Sequence, residues 1–234
     1  MKKNKHFIIL IAISLTMVIF SGCVTDSSTN SNEKEIVPIT YVPVEDMHTL
    51  EKIRDGEIKT VLVEKKIVTN KILIFTKVNN EEKVYGGIEI NEELYGVGQI
   101  GYTPTDTEVF NIKETRLFSK ELIRIDGFCG INCPQSDYIW IDKSIPKKIL
   151  HIEAGVIEMD LNSDGQEEIV ASVGTPANTK IYKLENGQIV TADLNKSFDA
   201  LDVSFDRDQK TFRVMFKDKT VKLYKFNDEG LIEV

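Results

Sequence analysis

Histidine, cysteine and tryptophan are scarce in this chain of 234 residues, with three, three and one copies respectively. Each scarcity removes a class of chemistry. A structural zinc site needs four closely spaced imidazole or thiolate ligands, and past residue 23 the chain offers only His48, His151, Cys129 and Cys133. The His-Glu-x-x-His pair of zinc hydrolases, the Gly-x-Ser-x-Gly turn of serine hydrolases and the phosphate-cradling P-loop do not occur. Clustered cations are missing too, and 37 acids against 29 bases give a formal charge of −8. Nucleic acid and anionic lipid surfaces both need concentrated positive charge, so no nucleic-acid partner is expected. The long α/β segments of a solute-capture protein are likewise absent.

The one long apolar run stands at the start. Lys2, Lys3 and Lys5 precede a charge-free, mostly apolar stretch over residues 7–20, which ends at Ser21-Gly22-Cys23. A spanning helix needs about 20 apolar residues, and this run has 14. The order of basic, apolar and small residues predicts a signal peptide over 1–22 in preference to an uncleaved anchor. Phe20-Ser21-Gly22-Cys23 resembles the lipobox of bacterial lipoproteins, although that family most often has Leu where Phe20 stands. The resemblance implies that Cys23 is acylated with palmitate-type chains and becomes the mature N-terminus, a free cysteine after an ordinary signal peptide being the alternative. Two acyl chains, at about 0.8 kcal/mol per buried methylene, hold a protein stably on a bilayer. The expected location is then the extracytoplasmic face of the cell membrane. Losing three lysines and no acid with the leader takes the charge from −8 to −11.

Residues 23–35 are polar, with Thr25, Asp26, Ser27, Ser28, Thr29, Asn30, Ser31 and Asn32 in succession, and read as a disordered tether. The remaining chain, near 200 residues, is long enough for one full core or two small ones. Met47, Leu50 and Ile53 recur every three residues, with acids before them, Arg54 late and Gly56 at the end, which predicts one short N-terminal helix over 44–56.

Almost everything after it carries strand signatures, and the expected class is mainly β, an antiparallel meander arranged as a propeller-like or sandwich fold. Strands are expected over 60–68, 72–78, 83–90, 95–102, 117–125 and 138–141, forming an N-terminal β-rich region at 36–142. A C-terminal meander follows at 143–234, with strands at 157–160, 168–173, 180–184, 188–192, 201–205, 211–216, 220–226 and 231–234. Residues 143–148, with Pro146, are either a linker or a long turn. Tyr182-Lys183 and Tyr224-Lys225 sit at equivalent places in two strand–turn–strand units, a weak repeat of period near 42 residues, which is the length of a propeller blade.

Between two of those strands lies Asp160-Leu161-Asn162-Ser163-Asp164-Gly165-Gln166-Glu167-Glu168. Oxygen donors at positions one, three, five and nine, a carbonyl at seven and a turn-forming Gly165 suit a hard cation such as calcium. Position twelve of an EF-hand would be Ala171, which has no donor, and strands flank the loop, so an EF-hand is excluded. The nine-residue form followed by Ile169-Val170 resembles the FG-GAP and integrin-type propeller repeats, over residues 155–193. That resemblance implies calcium held by Asp160, Asn162, Asp164, Gln166 and Glu168. The competing reading is an acidic turn that uses Asp-Gly for backbone reasons alone.

Cys129 and Cys133, in an oxidising compartment once Cys23 is acylated, are expected to form a disulfide. His151, beside Leu150 and Ile152, reads as a strand residue, His48 as exposed and Trp140 as core. The functional expectation is a non-catalytic lipoprotein module that binds an envelope protein or polymer and is stabilised by calcium. The alternative is a cell-envelope hydrolase using carboxylates such as Asp160, Asp164 and Glu167, since acid–base cleavage of a glycoside needs only two carboxyl groups.

Overall fold

A computed structural model describes residues 36–45, 47–103, 107–227 and 230–234. The expected signal peptide, the acylated Cys23 and the tether lie outside these residues. The described chain is mainly β, as the alternation of apolar and polar residues requires, and it folds as four antiparallel sheets.

The chain enters through four very short strands, β1 (Ile36–Pro38), β2 (Val42–Pro43), β3 (His48–Thr49) and β4 (Glu51–Lys52). It then builds four up-and-down meanders in order. The first is β5 (Ile58–Ile67), β6 (Asn70–Lys77), β7 (Asn80–Ile90) and β8 (Glu93–Tyr102). The second is β9 (Asn111–Leu117), β10 (Lys120–Gly130), β11 (Cys133–Asp142) and β12 (Ile145–Ile152). The third is β13 (Gly155–Met159), β14 (Glu168–Val173), β15 (Asn178–Glu185) and β16 (Gln188–Asp193). A five-residue helix α1 (Leu194–Phe198) leads into the fourth, β17 (Ala200–Asp206), β18 (Thr211–Phe216), β19 (Val221–Asn227) and β20 (Gly230–Glu233).

Each meander is completed by one strand of the entry segment, always against its last strand. β1 pairs with β20, β2 with β16, β3 with β12 and β4 with β8. Residues 36–52 therefore run along the four sheets in the reverse of their chain order, as a strap. A last strand left bare would expose a row of unpaired N–H and C=O groups, and the strap covers part of each. Further backbone bonds extend the pairing, from Val44 N to Ile189 O at 2.9 Å, Leu50 N to Pro146 O at 3.0 Å and Ile53 N to Leu94 O at 2.9 Å.

This overturns the helix expected over 44–56. The three-residue spacing of Met47, Leu50 and Ile53 has a different origin, since Leu50 is buried between β3 and β4 while Met47 is exposed. The helix that does form is α1, with Asp193 as N-cap accepting the Lys196 N–H, and Leu194 and Phe198 buried one turn apart.

Three hydrophobic cores join consecutive sheets. Ile72, Ile74, Ile88 and Ile100 of the first meet Ile112, Ile123, Ile125 and Ile139 of the second. Tyr138, Leu150 and Ile152 of the second meet Ile169, Ala171 and Tyr182 of the third. Val170 and Ile181 of the third meet Val203, Phe212, Val214 and Tyr224 of the fourth, together with Leu194 and Phe198. Strand β14 makes the logic plain, because Ile169 and Ala171 point to one neighbour and Val170 to the other. Among the described residues no core cluster joins the first sheet to the fourth. The second core crosses residues 143–148, which hold a two-residue turn, Lys143-Ser144, and the start of β12. The sheets approach closely where β10 crosses β8, and a Cβ on Gly127 would overlap the Ile100 carbonyl there.

Candidate functional site

Loop 160–168 joins β13 to β14, the first hairpin of the third meander. Its local shape follows from short polar side chains folding back on their own backbone. Asp160 Oδ1 accepts the Ser163 N–H at 2.6 Å and the Asp164 N–H at 3.2 Å, and its Oδ2 accepts the Gly165 N–H at 2.9 Å. Asn162 Oδ1 also accepts the Asp164 N–H, at 3.2 Å, and Asp164 Oδ1 accepts the Gln166 N–H at 2.7 Å. Ser163 and Gly165 take positive φ of 67° and 85°, the second being a conformation that glycine adopts without a steric cost.

Glu168 closes the loop from beneath. It is the first residue of β14, 4% exposed, and its Oε2 accepts the Leu161 N–H at 2.9 Å. Burial, together with the negative charges of Asp164 and Asp160, pushes its carboxyl up to about 7, against which the Leu161 N–H works in the opposite direction. The loop thus places a buried acid under two further acids.

The hairpin that occupies the equivalent place in the fourth meander is β17–β18, and it repeats the device in reduced form. Asp206 Oδ1 accepts the N–H groups of Asp208 and Gln209 at 2.9 and 3.0 Å. Lys210, on the same turn, reaches across to the third meander and donates from Nζ to the Asp160 carbonyl at 2.6 Å. On the other side Phe118, in the β9–β10 turn of the second meander, lines a cavity of about 100 Å³ with Asn162, Asp164, Gln166 and Glu168. First-hairpin turns of three consecutive meanders therefore meet at this loop.

The donor set fits calcium in chemistry, being hard oxygens from carboxylates, an amide and a backbone carbonyl on one short loop. The buried charge of Glu168 beside Asp160 and Asp164 is the kind of charge that a cation offsets. Among the described residues, however, no three His, Cys, Asp or Glu side chains converge as a metal-holding group, because the loop carboxylates are turned onto backbone N–H groups. Glu167, grouped with Asp160 and Asp164 as a hydrolytic acid, is exposed.

Cys129 and Cys133 lie at disulfide distance with Cα atoms 5.2 Å apart, at the β10–β11 turn. Trp140, expected in the core, is half-buried, with Lys120 Nζ 4.0 Å and Lys147 Nζ 5.2 Å from its ring centroid. His48 is exposed on β3.

Two polar clusters were not legible as such. Between the second and third sheets, Glu158 of β13 accepts from Lys113 Nζ at 2.7 Å, Thr115 Oγ1 at 2.9 Å, Arg124 Nη1 at 2.8 Å and Tyr138 Oη at 3.0 Å. Burial alone would raise its carboxyl, yet the Lys113 and Arg124 bonds outweigh burial and hold it below the usual range. Between the first and second sheets, Asp137 is fully buried, and its Oδ1 is shared by Lys148 Nζ and His151 Nδ1, each at 2.9 Å. Its Oδ2 has no hydrogen-bond partner. The bond to Asp137 is the main cause that raises the His151 imidazole, assisted by the Asp137 charge and opposed by burial and Lys148. The sequence signal was the polar Asp137 and His151 within apolar strand runs, but pairing them required the β11–β12 register, which sets these two residues opposite each other.

The run Gly96-Val97-Gly98-Gln99-Ile100-Gly101 spells the glycine pattern of dinucleotide-binding turns. It lies wholly inside β8, with no helix opening after it, so the helix N-terminus that such a turn offers to a pyrophosphate is absent. Comparison with protein-family models, with curated proteins and with solved structures finds no match.

Proposed function

We propose that this chain is a lipid-anchored extracytoplasmic protein whose folded part is a non-catalytic binding module, stabilised by one calcium ion in loop 160–168. The observation that carries the calcium reading is the burial of Glu168 beside Asp160 and Asp164, a grouping of carboxylates whose charge a hard cation would offset. The ion would be held by the side chains of Asp160, Asn162, Asp164 and Glu168 and the carbonyl of Gln166, and it would pin β13 to β14. The anchor reading rests on the basic, apolar and small residues that precede Cys23 and on the polar stretch 23–35.

A binding role is supported by consecutive sheets that pack through shared cores and so offer several strand faces to a partner. The partner is an envelope protein or polymer. The alternative, hydrolysis by acids such as Asp160, Asp164 and Glu167, would draw on two carboxylates that the calcium reading assigns to the ion. Calcium titration followed by thermal melting tests the metal reading, and turnover of peptidoglycan or of a glycoside by the purified protein would overturn the non-catalytic one.

A further inference from the structure

The face of the third sheet that looks toward the second carries two cavities that share Lys180. One, of about 520 Å³, lies under the strap, where Thr40 and Val42 face Thr191 of β16 and Lys196 and Ser197 of α1. The other, of about 390 Å³, has His151, Glu153, Asn178 and Tyr182 in its wall. Lys180 of β15 stands between them.

In a protein with excess negative charge, the cations here are notable for what they do not touch. Lys180 and Lys196 are exposed, and among the described residues neither has an ion-pair partner. Asp193, which lines the same cavity, sits opposite Lys180 in the β15–β16 ladder, and its Oδ1 accepts the Lys196 N–H at 3.0 Å as the α1 cap. At the far end His151 is held at Nδ1 by Asp137, and its Nε2 stands 3.6 Å from Glu153 Oε1.

The second observation is an orphan. Thr191 Oγ1 is buried and has no hydrogen-bond partner, although Thr191 lines the cavity under the strap. A hydroxyl left unpaired in the interior costs about 1–3 kcal/mol, and a turn of the Thr191 side chain about χ1 toward the cavity it lines would let an entering oxygen relieve it. Ser197 Oγ donates to the Asp193 carbonyl at 2.9 Å and keeps its lone pairs for an incoming donor.

We propose that this groove binds a hydroxylated ligand bearing an oxyanion, a sugar carboxylate or a polyol phosphate, with Lys180 and Lys196 on the anion and Thr191 on a ligand oxygen. Thr40 and Val42 belong to the strap, so the same ligand bridges the strap to the third sheet and holds β2 on β16. The inference does not rest on calcium.

Isothermal titration of the purified full chain with glucuronate, glycerol 3-phosphate and inorganic phosphate, with glucose as the neutral control, tests it. At least one anion binds saturably and glucose does not; glucuronate alone identifies a sugar acid, and glycerol 3-phosphate alone or more tightly identifies a phosphate ligand. K180Q and K196Q weaken the binding anion about tenfold or more, equivalent to about 1.4 kcal/mol. K66Q, which removes an exposed lysine of β5, leaves affinity unchanged. Thr191→Val keeps the side-chain shape and removes the orphan hydroxyl, so it weakens binding while the melting temperature stays level or rises. Bound anion also slows hydrogen exchange at Val42 and Val44. The proposal is overturned if no anion binds saturably on the order of 10 mM, if glucose binds as well, or if K66Q weakens binding as much as K180Q and K196Q do.

Discussion

The backbone N–H of Leu161 donates to Oε2 of Glu168 at 2.9 Å, tying the start of loop 160–168 to a carboxyl buried at its end. The bond fixes the loop from inside, and it leaves Glu168 facing the acids above it.

The first prediction concerns pH. The Glu168 carboxyl is raised from 4.5 to about 7, so the folded state binds more protons than the unfolded state between these values. Stability without calcium therefore falls as pH rises from about 4.5 to about 7, by up to about 3 kcal/mol. Urea denaturation across that range measures it, and Glu168→Gln, neutral at every pH, flattens the dependence.

A second pH effect of the same sign comes from His151. Its imidazole is raised by Asp137, so its contribution is present in full below the unfolded value of 6.5 and is lost as pH rises through the higher folded value. Imidazole NMR titration finds His151 above 6.5, and Asp137→Asn lowers it. The Glu168→Gln variant retains this second effect, which separates the two groups.

Glu158 makes the opposite kind of contribution. Its carboxyl is held low by Lys113 and Arg124, so its stabilisation is present above the unfolded value and is lost as pH falls through the folded one. Glu158→Ala takes the acceptor from Tyr138 and one of the two carboxylate partners from Arg124, which keeps its bond to Asp126, and costs about 1–3 kcal/mol in chemical denaturation at neutral pH.

The strap is testable through Gly230. A Cβ there would overlap the Val37 carbonyl, because β1 lies against β20 with Pro38 opposite Gly230. Gly230→Ala displaces β1, and hydrogen exchange at Ile36 and Val37 rises to the rate of an unpaired segment while amides of β6 and β10 keep their protection.

The parts of the fold that were legible are those in which neighbouring residues carry the signal. Strands β14 and β18 match their expected bounds, and the Tyr182-Lys183 and Tyr224-Lys225 repeat falls on the third strand of consecutive meanders, each tyrosine turned toward the preceding sheet. The strap was misread because its strands are two or three residues long and pair with edges formed 43 to 196 residues later, as Lys52 does with Tyr95 and Ile36 with Ile232. Local periodicity cannot encode such pairing. Turns at Asn91-Glu92, Phe118-Ser119 and Lys143-Ser144 take positive φ at both central residues without glycine. A strand expected across 117–125 was therefore two strands, with the buried Phe118 in the turn between them.

At the candidate site the ligand residue types were legible from spacing alone. The burial of Glu168 and the reach of Lys210 were not, since both depend on how the third and fourth sheets pack.

Thermal melting of the purified chain with and without millimolar calcium tests the central claim most directly. Calcium binding only the folded state stabilises it by about 2.7 kcal/mol at a hundredfold excess over Kd. The expected result is a melting temperature that climbs with calcium concentration, and an Asp164→Ala variant that folds but shows no climb. A melting temperature that does not move at millimolar calcium, or that moves equally in Asp164→Ala, contradicts the account.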